Sequence, residues 1–409
     1  MLEPLLKIVV LIAGLMTAAA YLVLVERWIA AWVQDRLGPN RVGIPLTKIR
    51  LFGLGQPVAD GVKFLFKSEL TPGHVDKALY FLAPAAIFIA ASAAFAVVPF
   101  GGAIPASWFP VSWGITEPIP LIVAPALDVG MIYIVAVGSV AVYGVVLGGW
   151  ASNNKYSLFG ALRSGAQLIS YELPLGLGIL GVVLATGSLR LDTIVAHQAQ
   201  SGAWNAWTQP LGFAVFCVAA FAEAARLPFD LPEAEQELVG GYHTEYSGIK
   251  LMMYLVAEFL HMILAAFLIV ILFLGGWHLW GLTGPGNAAA WPVFLLRIVV
   301  LLAKVMGVIL FFMLARWSWA RFRYDQLMVI GWKVMIPWGM VNLVVVAVWL
   351  EYGNNMAAPW NLSGNQCMAL IGWMALLVSW LVTVWFDPTS DDNRPLRADS
   401  STARGIPQP

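Results

Sequence analysis

Nine stretches of this chain are long and apolar enough to lie in the hydrocarbon core of a bilayer, and they dictate what it can fold into. They run roughly over 5–32, 79–100, 119–150, 158–187, 207–226, 248–277, 291–316, 332–350 and 367–386. A helical crossing takes about 20 residues. A lone strand in lipid would leave its backbone polar groups unsatisfied, so each stretch reads as a helix. Composition agrees: 60% of the residues are hydrophobic, 11% are charged and the mean hydropathy is +0.78. The expected fold is all-α and polytopic, a single integral membrane domain over residues 1–386 with a polar tail at 387–409. The fifth span is short, and the ninth stands apart near the C-terminus.

Lysine and arginine placement orients the bundle. Arg36, Arg41, Lys48, Arg50, Lys63, Lys67 and Lys77 follow the first span, Arg321 and Arg323 follow the seventh, and Arg394, Arg397 and Arg404 lie in the tail. Loops 101–118, 278–290 and 351–366 contain no Lys or Arg. The positive-inside rule then places the N-terminus outside and the C-terminus in the cytoplasm, as an odd number of crossings permits. Lys7 and Ala18-Ala19-Ala20 imitate a signal peptide, but the apolar run continues to Trp32 and the strong positive charge follows it, so an uncleaved helix is expected. GLGILG at 176–181 has the spacing of a dinucleotide fingerprint. No strand precedes it, and helix packing through small residues accounts for it. With two cysteines, Cys217 and Cys367, the chain lacks the thiolates of an iron–sulfur site, and its five histidines show no metal-ligand spacing.

The cytoplasmic segment 33–78 contains QPVADGVKFLFK (56–67). Val58, Val62, Leu65 and Phe66 fall on one helical face, Asp60, Lys63 and Lys67 on the other, and Pro57 suits the first turn. This pattern predicts an amphipathic surface helix, acting as an interfacial anchor or as the roof of a portal for an amphipathic molecule.

Charges inside the spans are costly and call for partners or water. Glu172 follows Arg163, Gln167 and Tyr171 in the fourth span and precedes Pro174. Glu258 and His261 share a face of the sixth, Arg297 and Lys304 a face of the seventh, and Asp128 falls in the third. Counted from the cytoplasmic ends, Glu258 lies about 15 Å deep, Lys304 about 18 Å and Glu172 about 21 Å, at similar levels. Asp128 and Arg297 fall nearer the outer face and Glu223 nearer the inner one. Lys304 neutralising a glutamate is one reading; a hydrated proton or ion path through the set is the other. The loop 226–247 adds Asp230, Glu233, Glu235, Glu237 and Glu245 around Arg226. Asp230-Leu231-Pro232-Glu233 has the form of a capping box, which explains part of the cluster. Crowded acids also raise one another's affinity for protons, which suits proton transfer.

RLPFDLPEAEQELVGGYHTEYSG (226–248) closely resembles the signature of the H subunit of respiratory complex I, the proton-pumping NADH:quinone oxidoreductase, called subunit 1 in mitochondria. So do VERWIAAWVQDRLGPNRVG (25–43), QPVADGVKFLFK, YGVVLGGWASNNKYSLFGALRSGAQLISYELP (143–174) and RFRYDQLMVIGWKVMIP (321–337), and the resemblance spans about residues 5–350. It implies an eight-helix core, here with one helix more, in a bacterial plasma membrane. That core docks onto a peripheral arm whose subunits hold FMN and iron–sulfur clusters, and onto antiporter-like membrane subunits. Quinone is the implied substrate, lipid the surrounding and nucleic acid no partner, and the isolated chain is expected to catalyse nothing. By matching position, the resemblance implies that Arg27, Arg36, Arg41, Arg226, Asp230, Glu233, Glu235, Glu237 and Glu245 border the quinone cavity. It also implies that Glu223, Glu172 and Glu258 continue a path into the membrane, a path to which Lys304 and Asp128 are added as buried charges. Arg321, Arg323, Tyr324 and Asp325 match the motif after the seventh span and are assigned to partner contact. The chain departs from the family at Ala224 and Ala225 (usually threonine and asparagine), at an apparent insertion LTKIR (46–50), and at Asp128, where asparagine is expected and the common acid two residues earlier is Ala126. The membrane subunit of an energy-converting hydrogenase and an independent proton-coupled transporter are the alternative functions.

Overall fold

The computed structural model describes residues 2–43, 52–108, 118–125, 127–230, 239–283, 291–357 and 363–386. Among them it is an all-α membrane protein. Eight helices are long and apolar enough to cross a bilayer, and a shorter apolar one, Pro210–Glu223, takes the place of the fifth span. In chain order the helices are α1 (Leu2–Val33), the surface helix α2 (Gln56–Phe66), α3 (Lys77–Ala93), α4 (Gly130–Ala151) and α5 (Lys155–Thr186). They continue with a short α6 (Leu191–Ser201), α7 (Pro210–Glu223), α8 (Gly248–Phe273) and α9 (Trp291–Ser318). The chain then runs through α10 (Tyr324–Val329), a π-helical turn (Ile330–Met335) and α11 (Ile336–Ala357), and ends in α12 (Gly364–Phe386).

Burial identifies the central helix. In α8, 78% of the most apolar window is buried, against 22–50% in the other seven long spans. Around it, α3 packs on α4, α4 on α5, and α5 on both α7 and α11, while α8 touches α3 and α9. The outward residues of the peripheral helices are large and apolar, as lipid requires; Leu6, Val10, Trp332, Val344 and Trp385 are all exposed.

One sequence expectation changes here, and that of a short fifth span holds. The span placed at 119–150 is a helix only from Gly130. Ile119–Pro120 instead pairs antiparallel with Ala103–Ile104, in the register Ala103↔Pro120 and Ile104↔Ile119. Pro118, Pro120 and Pro125 punctuate that stretch, and proline both lacks the helical N–H and clashes with the preceding turn. The fifth span is short in fact: 14 residues make about 21 Å of helix, less than a ~30 Å hydrocarbon core. At its N-terminus, Asn342 of α11 supplies an acceptor, Oδ1, to the Gly212 amide at 3.1 Å. The surface helix α2 forms as expected, with Pro57 in its first turn and Val58, Val62, Leu65 and Phe66 exposed.

Candidate functional site

The end of the bundle that carries α2 and the acidic loop is built from aromatic and ionic ties. Tyr246 stacks on Tyr80 at 4.3 Å between ring centroids and meets Tyr254 edge-on at 4.9 Å. Burial pushes the Tyr246 phenol up to about 12, so it stays neutral and serves as a donor, to Gly148 O. The loop comes close to α5 at Gly160, where an added Cβ would stand 2.8 Å from the Gly241 and Tyr242 backbone. Those fixtures hold Tyr242 so that its hydroxyl donates to Glu258 Oε1 at 3.1 Å.

Beneath this loop, between α4, α5, α7 and α8, lies a cavity of about 50 Å³. Ser139, Glu172, Glu223, Tyr242, Glu258 and His261 all line it. A second cavity of about 20 Å³ shares Glu172, Glu223 and His261 and continues between Phe216, Leu264 and Leu268. Three carboxylates from three helices thus converge, as a path into the membrane requires. Ser139 donates to Glu172. Gln167, buried one turn and a half before Glu172, donates to Ala222 O at 2.9 Å and Phe229 O at 2.8 Å, fixing the end of α7 where Glu223 sits. Pro174 frees the carbonyl four residues back from its helical bond, loosening α5 at this level. The π-helical turn packs opposite, where Trp332 Nε1 donates to Ser170 Oγ at 3.2 Å and the Tyr171 hydroxyl donates to Leu327 O at 2.9 Å.

Lys304 and Asp128 stand elsewhere. Lys304 Nζ donates to Leu274 O (2.6 Å), Gly276 O (3.0 Å) and His278 O (2.6 Å), and lies over the Trp204 ring at 4.6 Å. It caps the Leu274 carbonyl at the C-terminus of α8 and two carbonyls of the turn that follows, about 24 Å along that helix from Glu258, so it neither shares the level of the glutamates nor pairs with them. Asp128 is in the loop before α4, not in a helix, with its side chain 81% exposed and 3.2 Å from Arg190 Nη1. Arg190 is also held by Asp192 at 2.9 Å, and the Asp192 hydrogen bond, with a smaller part from Asp128, raises its already high affinity for the proton. Asp128 is thus one jaw of a surface clasp rather than a buried relay. Arg297, buried as expected of a membrane charge, donates through Nε and Nη2 to Thr283 O.

The basic residues assigned to the quinone cavity divide. Arg226 Nη1 donates to Glu26 Oε1 at 3.2 Å, and its guanidinium lies over the Phe259 ring at 4.4 Å. Arg316 also donates to Glu26. Arg27 pairs with Asp60 at 2.7 Å, tying α1 to α2. Arg36 bonds Gln34, and both Arg36 and Arg41 are exposed. Glu245 Oε1 accepts from Asn154 at 2.6 Å. Arg321 donates to Asp230 O at 2.6 Å, Tyr324 lies 5.9 Å from the Arg163 guanidinium, and Arg323 and Asp325 are exposed. Glu233, Glu235 and Glu237, with the predicted capping box and the LTKIR segment, lie outside the described residues.

Sequence reasoning left out Glu26, Ser139 and Tyr242, and gave His261 no role. A carboxylate at the end of an apolar run was the available signal for Glu26. Tyr242 and Ser139 carried none, because they matter only through contacts with distant segments.

Residues 6–347 match a family model described as NADH dehydrogenase. A protein of Geobacter metallireducens, named as the first H subunit of NADH-quinone oxidoreductase, is 47% identical over 340 residues, 83% of this chain and 94% of its own length. The NADH-quinone oxidoreductase H subunit of Leptospira biflexa is 43% identical over 349 residues, 85% and 94% of the two chains. That of Syntrophotalea carbinolica is 44% identical over 344 residues, 84% and 95%. A match over this much of the sequence, on a bundle whose buried acids gather in one cavity, settles the kinship: the chain belongs to the NADH dehydrogenase family, beside proteins named as H subunits of NADH-quinone oxidoreductase.

Proposed function

We propose that this chain is the membrane subunit of a proton-translocating NADH:quinone oxidoreductase, forming much of the quinone chamber and passing redox-driven charge movement into the membrane. The observation that carries the reading is the convergence of Glu172, Glu223 and Glu258 on one cavity directly beneath the acidic loop. Buried N–H groups of Arg226 (Nε and Nη2) and Arg321 (Nε) have no acceptor among the described residues. Quinone reduction consumes two electrons and two protons, and charge at a half-reduced headgroup acts on nearby acids by about 4 kcal/mol at 4 Å for an effective dielectric of 20. That magnitude moves protons between carboxyl groups. Electrons arrive from FMN and iron–sulfur clusters in partner subunits of the peripheral arm, docked through Arg323 and Asp325; antiporter-like subunits receive the charge movement in the plasma membrane. The relatives' names favour this enzyme over a hydrogenase, and an independent transporter would not need the exposed charged motif after α9.

The test uses the assembled complex in proteoliposomes. Glu223→Gln and Glu235→Gln are expected to depress quinone reduction and pumping together, by about a hundredfold, the lower end of the range for losing a proton-transfer group. Full coupled turnover of both variants across pH 6 to 8 would remove the acids from the path.

A further inference from the structure

His261 stands where the two cavities meet. It lines the larger together with Tyr242 and Glu258, and the smaller together with Phe216 and Leu268. Its imidazole has no hydrogen-bond partner among the described residues, although it sits three positions from Glu258, on the same side of the most deeply buried helix of the bundle. The larger cavity, at about 50 Å³, has room for about three or four waters, and the smaller, at about 20 Å³, for about one. The larger can therefore hold a short water chain on the acidic-loop side, whereas the smaller narrows to about one water between Glu172, Glu223, Phe216 and Leu268.

We propose that His261 is a proton-relay residue of this path, carrying protons from the hydrated cavity shared by the three glutamates into the narrow apolar one. An imidazole has two nitrogens and can receive on one while releasing from the other. A proton passes to one ring nitrogen from a cavity water or from the carboxyl group of Glu223, giving imidazolium. The other nitrogen then releases its proton to the single water of the smaller cavity or to the carboxylate of Glu172, leaving a neutral ring in the opposite tautomer. Rotation of the ring resets it, and no proton is gained or lost overall. The titratable groups that face it are Glu172 from α5, Glu223 from α7, Glu258 from its own helix and Tyr242 from the loop; α4 contributes Ser139.

The inference rests on the proton-path reading above, so the experiment separates the two. His261→Gln is made beside Glu223→Gln in the assembled complex, and pumping and the quinone KM are measured. The relay predicts assembly and KM as in the unmodified complex and a pumping rate lower by about a hundredfold or more. An altered KM with an unchanged pumping rate at saturating quinone would make His261 a packing residue and overturn the relay. If His261→Gln pumps normally while Glu223→Gln does not, the relay falls and the path stands. If neither variant differs from the parent, both fall. Infrared difference spectra on quinone reduction, with ring-15N histidine, decide the matter if His261→Gln fails to assemble. An imidazole band that shifts in the unmodified complex and is missing in His261→Asn supports the relay, and no shifting imidazole band in the unmodified complex overturns it.

Discussion

At the scale of single residues, Glu26 shows how burial decides what an ion pair contributes. Its side chain is 12% exposed and faces Arg226 at 11% and Arg316 at 25%, so one carboxylate holds two largely desolvated guanidinium groups apart. Arg27 and Asp60, at 44% and 21%, form a pair that solvent screens. Removing one partner of a buried pair leaves an uncompensated charge and costs about 3–5 kcal/mol, whereas an exposed pair is worth about 0–1 kcal/mol. Glu26→Gln is therefore expected to lower the thermal dissociation temperature of the subunit in the assembled complex markedly, and Asp60→Asn to leave it nearly unchanged. Equal shifts in the two variants would contradict the assignment. The same contrast explains what the sequence disclosed at this scale. Glu172, Glu223 and Glu258 were legible because a charge within an apolar run is anomalous by itself. Glu26 was passed over because its partners lie 200 and 290 positions away, and no local pattern encodes them. Lys304 was misplaced for a related reason: counting residues along a straight helix gives a depth but not the neighbour, and the neighbour is a ring of carbonyls at the end of α8.

At the scale of elements, hydropathy located the crossings well because a membrane helix satisfies its backbone within itself, so its signal is local. It failed at 119–129, an apolar stretch broken by prolines, where Ile119 and Pro120 pair as a short ribbon with Ala103 and Ile104. The short α7 exposes a second limit. Its first turn depends on Asn342, and Gly181 and Gly212 make room for that side chain; an added Cβ would stand 2.4 and 2.6 Å from Asn342 Nδ2. Nothing in the spacing of those three residues announces that they meet. Gly181→Ala is expected to destabilise the subunit by about 1–3 kcal/mol, the usual cost of forcing a methyl group into a filled core, read as a lower melting temperature in detergent. An unchanged temperature would mean that Asn342 has somewhere else to go. The last helix, α12, lies beyond the family match and covers the same seam. Gly372 packs against Pro210, Trp338 Nε1 donates to Thr383 Oγ1 at 2.9 Å, and Asn365 donates to Ser201 O at 2.7 Å.

At the scale of the molecule, the two ends differ in how many cations they carry among the described residues. At one end lie Arg27, Lys63, Lys67, Lys77, Lys155, Lys250 and Arg323, with α2 and the acidic loop. At the other lie fewer: Lys7, held by Glu3 at 2.7 Å, Arg190, held by Asp128 and Asp192, Arg297, held by the Thr283 carbonyl, and Lys304, held by the carbonyls of Leu274, Gly276 and His278. The orientation signal is carried by cations near the ends of spans that remain on one side of the bilayer, and here they crowd at the acidic-loop end. That end is therefore expected to face the cytoplasm, which also places quinone chemistry on the side where NADH is made. With Cys217 and Cys367 replaced by alanine, Val239→Cys and Ser363→Cys would be labelled separately with a membrane-impermeant maleimide. Both positions are exposed, at opposite ends of the bundle. In sealed right-side-out cells Ser363→Cys should react and Val239→Cys should be protected until the membrane is opened. The reverse pattern would invert the whole assignment, since a path that begins at the acidic loop would then start outside.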